Sequence, residues 1–130
     1  MFKVNVICPH EDCKKSLMDH ENLVSNQPSI HLRVKKGDVE GDLYLSSIYG
    51  DYNSIDPEKP HYLNGDCLEF YCPHCGKELP VIEKCSCGAD TKLLHLQDGG
   101  KLKFCSRKGC NYHNISFEKS EDLYKFLDDN

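Results

Sequence analysis

Eight of this chain's nine cysteines fall into four close pairs, and that spacing limits the possible folds more than any other feature. The pairs are Cys8 and Cys13 in CPHEDC, Cys72 and Cys75 in CPHC, Cys85 and Cys87 in CSC, and Cys105 and Cys110 in CSRKGC; Cys67 stands alone. So many cysteines in 130 residues mean a framework of disulfides or of metal ions, and the redox compartment decides between them. The opening MFKVNVICPHEDC has no basic lead, no apolar run long enough for a signal segment and no small-residue cleavage site. No stretch approaches the ~20 apolar residues that cross a bilayer. The expectation is a cytoplasmic protein without membrane association, whose thiols stay reduced and bind metal.

Cysteines separated by a few residues close a turn whose thiolates converge on one ion, while backbone N–H groups of the turn point back at the sulfurs. Tetrahedral Zn²⁺ takes four such ligands. Cys8, Cys13, Cys72, Cys75, Cys85, Cys87, Cys105 and Cys110 therefore predict two complete sites, with C-x-C the least standard pair. This arrangement resembles the zinc-ribbon superfamily, in which two cysteine knuckles at one end of a small antiparallel sheet clamp a single zinc. The likeness is closest over Cys72 to Cys110 and looser over Cys8 to Cys75. It implies a small, metal-dominated, mainly β fold: two zinc-ribbon-like units of antiparallel strands with a short C-terminal helix. Residues 1–80 would form an extended first unit, and 81–130 a second ribbon carrying the helix.

Two pairings of the knuckles are open. NGDCLEFYCPHC (64–75) matches DGGKLKFCSRKGC (98–110) in form, each a glycine turn, a strand with alternating Leu and Phe, and a cysteine pair. Read as the closing halves of two ribbons, they put Cys8, Cys13, Cys72 and Cys75 on one ion and Cys85, Cys87, Cys105 and Cys110 on the other. Alternatively, Cys72, Cys75, Cys85 and Cys87 make a compact ribbon by themselves, and Cys8 and Cys13 meet Cys105 and Cys110. The same eight residues bind in both.

FKVNVI before Cys8, SIHLRVK at 29–35, VEGDLYLSSIYG at 39–50 and HNISF at 113–117 alternate or are rich in β-branched and aromatic residues, and read as strands. MDHENLV (18–24) reads as a helical turn ended by the loop Asn26-Gln27-Pro28. Ser120 is placed to cap a helix with Leu123, Phe126 and Leu127 on one face and Glu121 and Asp122 in its first turn; that face is expected to dock on the second ribbon. The stretch 50–65, with its prolines and tyrosines, is too long for a simple hairpin turn and reads as a mobile loop.

Two four-thiolate sites would take the formal charge from −5 to about −9, which opposes nonspecific binding to nucleic acid. Yet Lys84, Lys92, Lys101, Lys103, Arg107 and Lys108 make 84–108 a basic segment, and Phe104 within it offers a ring to stack on a base. The leading expectation is a noncatalytic zinc-binding protein that serves as an interaction module, accessory factor or small subunit for a protein partner. Nucleic-acid binding through 84–108 is the alternative. Iron is a further possibility, because rubredoxins use similar knuckles around an iron tetrathiolate; they pair two C-x-x-C-G turns, and this chain has one in full. No catalytic residue is assigned: four thiolates fill each shell, whereas a catalytic zinc keeps an open position. There is also no phosphate-cradling glycine loop, HExxH or G-x-S-x-G. His10, His74 and His113 lie near enough to the pairs to replace a cysteine or to hydrogen-bond around a site. Cys67 reads as a partly buried small side chain.

Overall fold

The computed structural model describes residues 2–130. In chain order its elements are β1 (Val6–Ile7), β2 (Met18–Val24), β3 (Gln27–Lys36), β4 (Val39–Leu45), β5 (Ser54–Ile55), β6 (Glu69–Tyr71), β7 (Val81–Lys84), β8 (Asp90–Leu96), β9 (Lys101–Cys105), β10 (His113–Ser116) and α1 (Ser120–Asp129). The strands form two antiparallel sheets, so the fold is the small, mainly β one with a C-terminal helix that the cysteine pattern predicts.

Both sheets have one plan. A central strand carries a strand along one edge and two short strands in series along the other. In the first sheet β3 pairs with β4, and its other edge takes β2 near its start (Met18 opposite Ile30) and β6 near its end (Arg33 opposite Tyr71). In the second, β8 pairs with β9, and its other edge takes β7 near its start (Val81 opposite Lys92) and β1 at its end (Val6 opposite Leu96). The outer strands β5 and β10 complete the two sheets on β4 and β9. Strands β1 and β6 are exchanged: β1 precedes the first sheet in the chain but hydrogen-bonds the second, and β6 does the reverse.

The exchange follows from where the apolar side chains point. Along β3, Ile30, Leu32 and Val34 are buried while His31, Arg33 and Lys35 are only half-buried, the two-residue period of a strand with one face on a core. Against them pack Leu94, Leu96 and Leu102 from the second sheet, with Val6, Leu68 and Phe70 from the exchanged strands and their flanks. Phe70 meets the half-buried Phe104 edge to face, with centroids 5.1 Å apart, across the two sheets. One core therefore serves both sheets.

Several local expectations need correction. Residues 18–24 form strand β2 and not a helical turn; the Asp19 carboxylate accepts from the backbone N–H groups of Glu21 and Asn22, a turn-like kink inside an otherwise extended strand. The expected loop at 26–28 is a two-residue hairpin turn at Ser25 and Asn26, both at positive φ (54° and 63°), and Gln27 and Pro28 already belong to β3. β4 stops at Leu45, before a turn through Gly50. In FKVNVI only Val6–Ile7 is a strand, and Lys3 adds an isolated bridge to Ile48. Helix α1 begins at Ser120, but Lys119 takes the capping position and makes no side-chain cap bond. It buries one residue: Phe126 lies between Phe2 and Phe117 (centroids 5.7 and 5.4 Å), whereas Leu123 and Leu127 stay exposed. Residues 50–65 lie across β4, with Lys59 and Pro57 so close over Gly41 that no side chain fits there. Tyr62 donates from its hydroxyl to Asp56 at 3.1 Å, and Lys108 pairs with Asp56 at 3.3 Å.

Candidate metal centres

Each knuckle is the tip of a tight hairpin. Ile7 bridges Ser16 and Tyr71 bridges Glu78, so the chain doubles back around Cys8–Cys13 and around Cys72–Cys75. The two tips are built alike: Cys8 donates its N–H to Lys15 and Cys72 its N–H to Lys77, and one step inward Leu17 donates to Val6 and Leu79 to Phe70. Because β1 and β6 have crossed into opposite sheets, the tips meet. Cys8, Cys13, Cys72 and Cys75 come together there, and Cys85, Cys87, Cys105 and Cys110 come together at the far end of β7, β8 and β9. Within each group all sulfurs lie within 4.8 Å of one another, as a shared ion requires. The rival grouping of Cys8 and Cys13 with Cys105 and Cys110 does not occur among the described residues.

The sulfur spacing is the informative quantity. Four sulfurs each about 2.3 Å from a shared Zn²⁺ lie about 3.8 Å apart along the edges of the tetrahedron. In the first group Cys8 and Cys75 are 3.8 Å apart and Cys13 and Cys72 are 3.9 Å apart. In the second, Cys85 and Cys110 are 3.8 Å apart and Cys87 and Cys105 are 3.5 Å apart. A disulfide needs about 2.05 Å. The groups thus have the size of an occupied tetrathiolate. All nine cysteines are free thiols.

Backbone N–H groups turn toward the sulfurs. His74 and Cys75 point theirs at Cys72 (3.3 and 3.5 Å), and Arg107 points its own at Cys105 (3.4 Å). Burial pushes the thiols of Cys8, Cys72 and Cys105 up, against these bonds. The Lys15 N–H pulls Cys13 down, and the Ala89 N–H with the Arg107 side chain pulls Cys87 down to about 6. Each group therefore mixes sulfurs that ionise readily with sulfurs that resist it without a cation. A divalent ion held there would supply the opposite charge that the buried members lack.

The histidines take positions that sequence reasoning leaves open. His10 Nε2 bonds the carbonyl of Glu78 at 2.9 Å, and His74 Nε2 bonds the carbonyl of Ser16 at 3.0 Å, so each tip is tied to the other beside the first group. The repeated CPH was the signal for this reciprocal tie. His113 is in neither cysteine group; its ring packs on Tyr49 and Tyr52 at 4.4 and 5.1 Å. Cys67 is exposed, not partly buried, and its backbone bridges Arg107.

The basic segment 84–108 is internally occupied. Lys84 pairs with Asp90, Lys101 with Glu118, Lys103 with Glu83 and Lys108 with Asp56, at 2.6 to 3.3 Å. Lys92, also of the basic segment, is buried with its ammonium 2.8 Å from Glu78. Arg107 donates to the carbonyls of Gly65 and Cys87. Phe104 is half-buried and packs edge to face on Phe70.

A cleft of about 170 Å³ opens between the loop that follows β4 and the loop that follows β9, with Tyr52, Tyr62, Tyr112 and His113 in its lining. No helix among the described residues is long and apolar enough to cross a membrane. No known protein family, curated protein or solved structure matches this chain.

Proposed function

We propose that this chain is a noncatalytic zinc protein of the cytoplasm, built on two zinc-ribbon-like centres. Cys8, Cys13, Cys72 and Cys75 hold one Zn²⁺, and Cys85, Cys87, Cys105 and Cys110 hold the other. The fold so fixed presents a surface to a protein partner, as an accessory factor or small subunit. The observation that carries the metal reading is the spacing of the eight sulfurs, which lies within a few tenths of an ångström of the tetrathiolate edge at four named pairs. Two observations favour a protein partner over nucleic acid. The six cations of 84–108 already have acceptors within the chain. The strand β7 pairs on one edge only and exposes Val81 and Ile82, an edge to which a partner strand can add.

Elemental analysis of freshly isolated, reduced protein tests the first part. Two zinc ions per chain and a colourless solution are expected; no bound transition metal would sink the reading, and a red protein with charge-transfer bands would replace zinc by iron. Affinity capture from the native cell, with and without nuclease, tests the second. Partners that survive nuclease support the protein-binding role, and loss of all partners overturns it.

A further inference from the structure

The shared plan of the two sheets extends to individual residues. Val4 donates its N–H to Ser47, and Leu68 donates to Ser106; Tyr49 donates to Phe2, and Lys108 donates to Asp66. Lys3 bridges Ile48 as Cys67 bridges Arg107. Beyond the central hairpins, Ser46 donates to Asn53 and Asp51 to Ile48, as Cys105 donates to Tyr112 and Cys110 to Arg107. Eight of the ten residues at positive φ fall into step as well, Lys14 with Gly76, Asn26 with Gly88, Gly37 with Gly99, and Gly50 with Gly109; Ser25 and Gly65 have no such counterpart. Burial follows the same correspondence, with Leu17 and Leu79, Leu32 and Leu94, and Ser47 and Ser106 all out of solvent.

In this correspondence the second cysteine group has a counterpart in the first half. Val24, the last residue before the β2–β3 turn, stands where Cys85 precedes the β7–β8 turn; both are buried, at 5% and 6% exposure, and both pair across their turn, Val24 with Gln27 and Cys85 with Ala89. Ser25 stands for Cys87, Ser46 for Cys105 and Asp51 for Cys110. Two of the three polar substitutes, Ser25 and Asp51, bond directly, and Ser46 lies beside the same carboxyl. Ser25 donates its hydroxyl to Asp51 at 2.6 Å, and the hydroxyls of Ser25 and Ser46 together hold the Asp51 carboxyl below its usual range. Asn53 donates its side-chain amide to Ser25 at 3.3 Å. Even the knuckle bond is kept: Ile48 donates its N–H to Ser46 Oγ at 3.1 Å where Arg107 donates to Cys105 Sγ at 3.4 Å.

We infer that the chain is a tandem duplication of one knuckle-and-sheet unit, with its halves meeting in the 57–65 loop, and that Val24, Ser25, Ser46 and Asp51 occupy a third tetrahedral metal position converted into a metal-free hydroxyl–carboxylate lock. This rests on the zinc reading of the second group. The first group then holds one knuckle from each copy and sits on the pseudo-two-fold axis, which explains why His10 and His74 make reciprocal bonds there. The second group belongs to one copy alone. The cleft lies between the two equivalent tips, one closed by thiolates and the other by hydrogen bonds.

The conversion can be reversed in the full chain. A graft places the 85–89 pentapeptide in place of residues 24–27 and adds Ser46→Cys and Asp51→Cys. A reciprocal variant combines Cys85→Val, Cys87→Ser, Cys105→Ser and Cys110→Asp. Metal is counted by elemental analysis after zinc loading, and folding is followed by circular dichroism. The parent should hold two ions, the graft three and the reciprocal variant one, with cooperative thermal unfolding in each. A folded graft that stays at two overturns the inference. If the graft does not fold, the reciprocal variant decides against a control with alanine at Cys85, Cys87, Cys105 and Cys110: a higher thermal midpoint for the reciprocal variant supports the correspondence, and equal midpoints overturn it. A parent without metal would instead defeat the zinc reading itself, so the two failures are distinguishable.

Discussion

The two four-cysteine groups share their ligands' chemistry and differ in what they join. The first draws Cys8 and Cys13 from one end of the chain and Cys72 and Cys75 from beyond its middle, and Cys8 and Cys72 belong to the main core. The second closes between Cys85 and Cys110, has a small apolar cluster of its own with Ala89, and leaves Cys87 exposed. A cross-link that closes a longer loop removes more freedom from the unfolded chain. The first group also joins the tip next to β1, a strand that pairs in a sheet it does not adjoin in sequence, to the tip next to β6. An ion held at each group would thus have a global effect at one place and a local effect at the other.

The largest expected difference comes from removing one sulfur at each centre. Binding of a structural zinc is worth roughly 10–16 kcal/mol in small peptides, as much as the roughly 5–15 kcal/mol that stabilises a whole domain. Cys72→Ala should therefore abolish the cooperative thermal transition seen by circular dichroism. Cys87→Ala should keep that transition and lose structure only around residues 85–110. Identical behaviour of the two variants would remove the distinction between the centres.

A smaller effect isolates the axis between the tips. His10→Ala and His74→Ala each delete one of the reciprocal bonds and should lower the thermal midpoint by similar amounts, roughly 2–6 °C, at saturating zinc. A shift from one histidine only would show that the tips are not equivalent.

The smallest effect is a pH dependence on the flank of the first centre. His95 lies opposite Ile7 of β1, and burial, with Lys14 and Lys101 nearby, holds its imidazole below the ordinary value. As pH falls through about 6.5, the unfolded chain takes up a proton there that the folded chain does not, so this histidine costs stability below that pH and none above it. His95→Asn should raise the urea midpoint relative to the parent at pH 5.5 by more than at pH 7.5, both at saturating zinc. An unchanged difference would place the imidazole in solvent.

The ligand groups were legible because knuckle spacing is a short-range property: a turn of a few residues either converges its sulfurs or does not. β3 was legible for a related reason, since Ile30, Leu32 and Val34 alternate without interruption. In the sequence the grouping of knuckles rests on the likeness of 64–75 to 98–110, whereas the structure shows a different correspondence. Cys72 answers to Cys8, and Cys105 answers to Ser46, a residue that carries no cysteine signal at all. The exchange of β1 and β6 was not legible, because a two- or three-residue strand has no periodicity to read and its partner lies far along the chain. MDHENLV was misread because Asp19 gives the segment a local turn that only the pairing with β3 overrides.

Strand exchange also imposes an order on biosynthesis. Val6 finds its hydrogen-bonding neighbour only at Leu96, and the first knuckle finds its opposite tip only at Cys72 and Cys75. At about 5–20 residues per second, the nascent amino-terminal hairpin waits on the order of 4–18 s for Leu96 to be made. Until Cys75 is made, earlier in that interval, Cys8 and Cys13 are an unsatisfied pair of thiols on a growing chain, free to be captured by the same segment of a neighbouring nascent molecule.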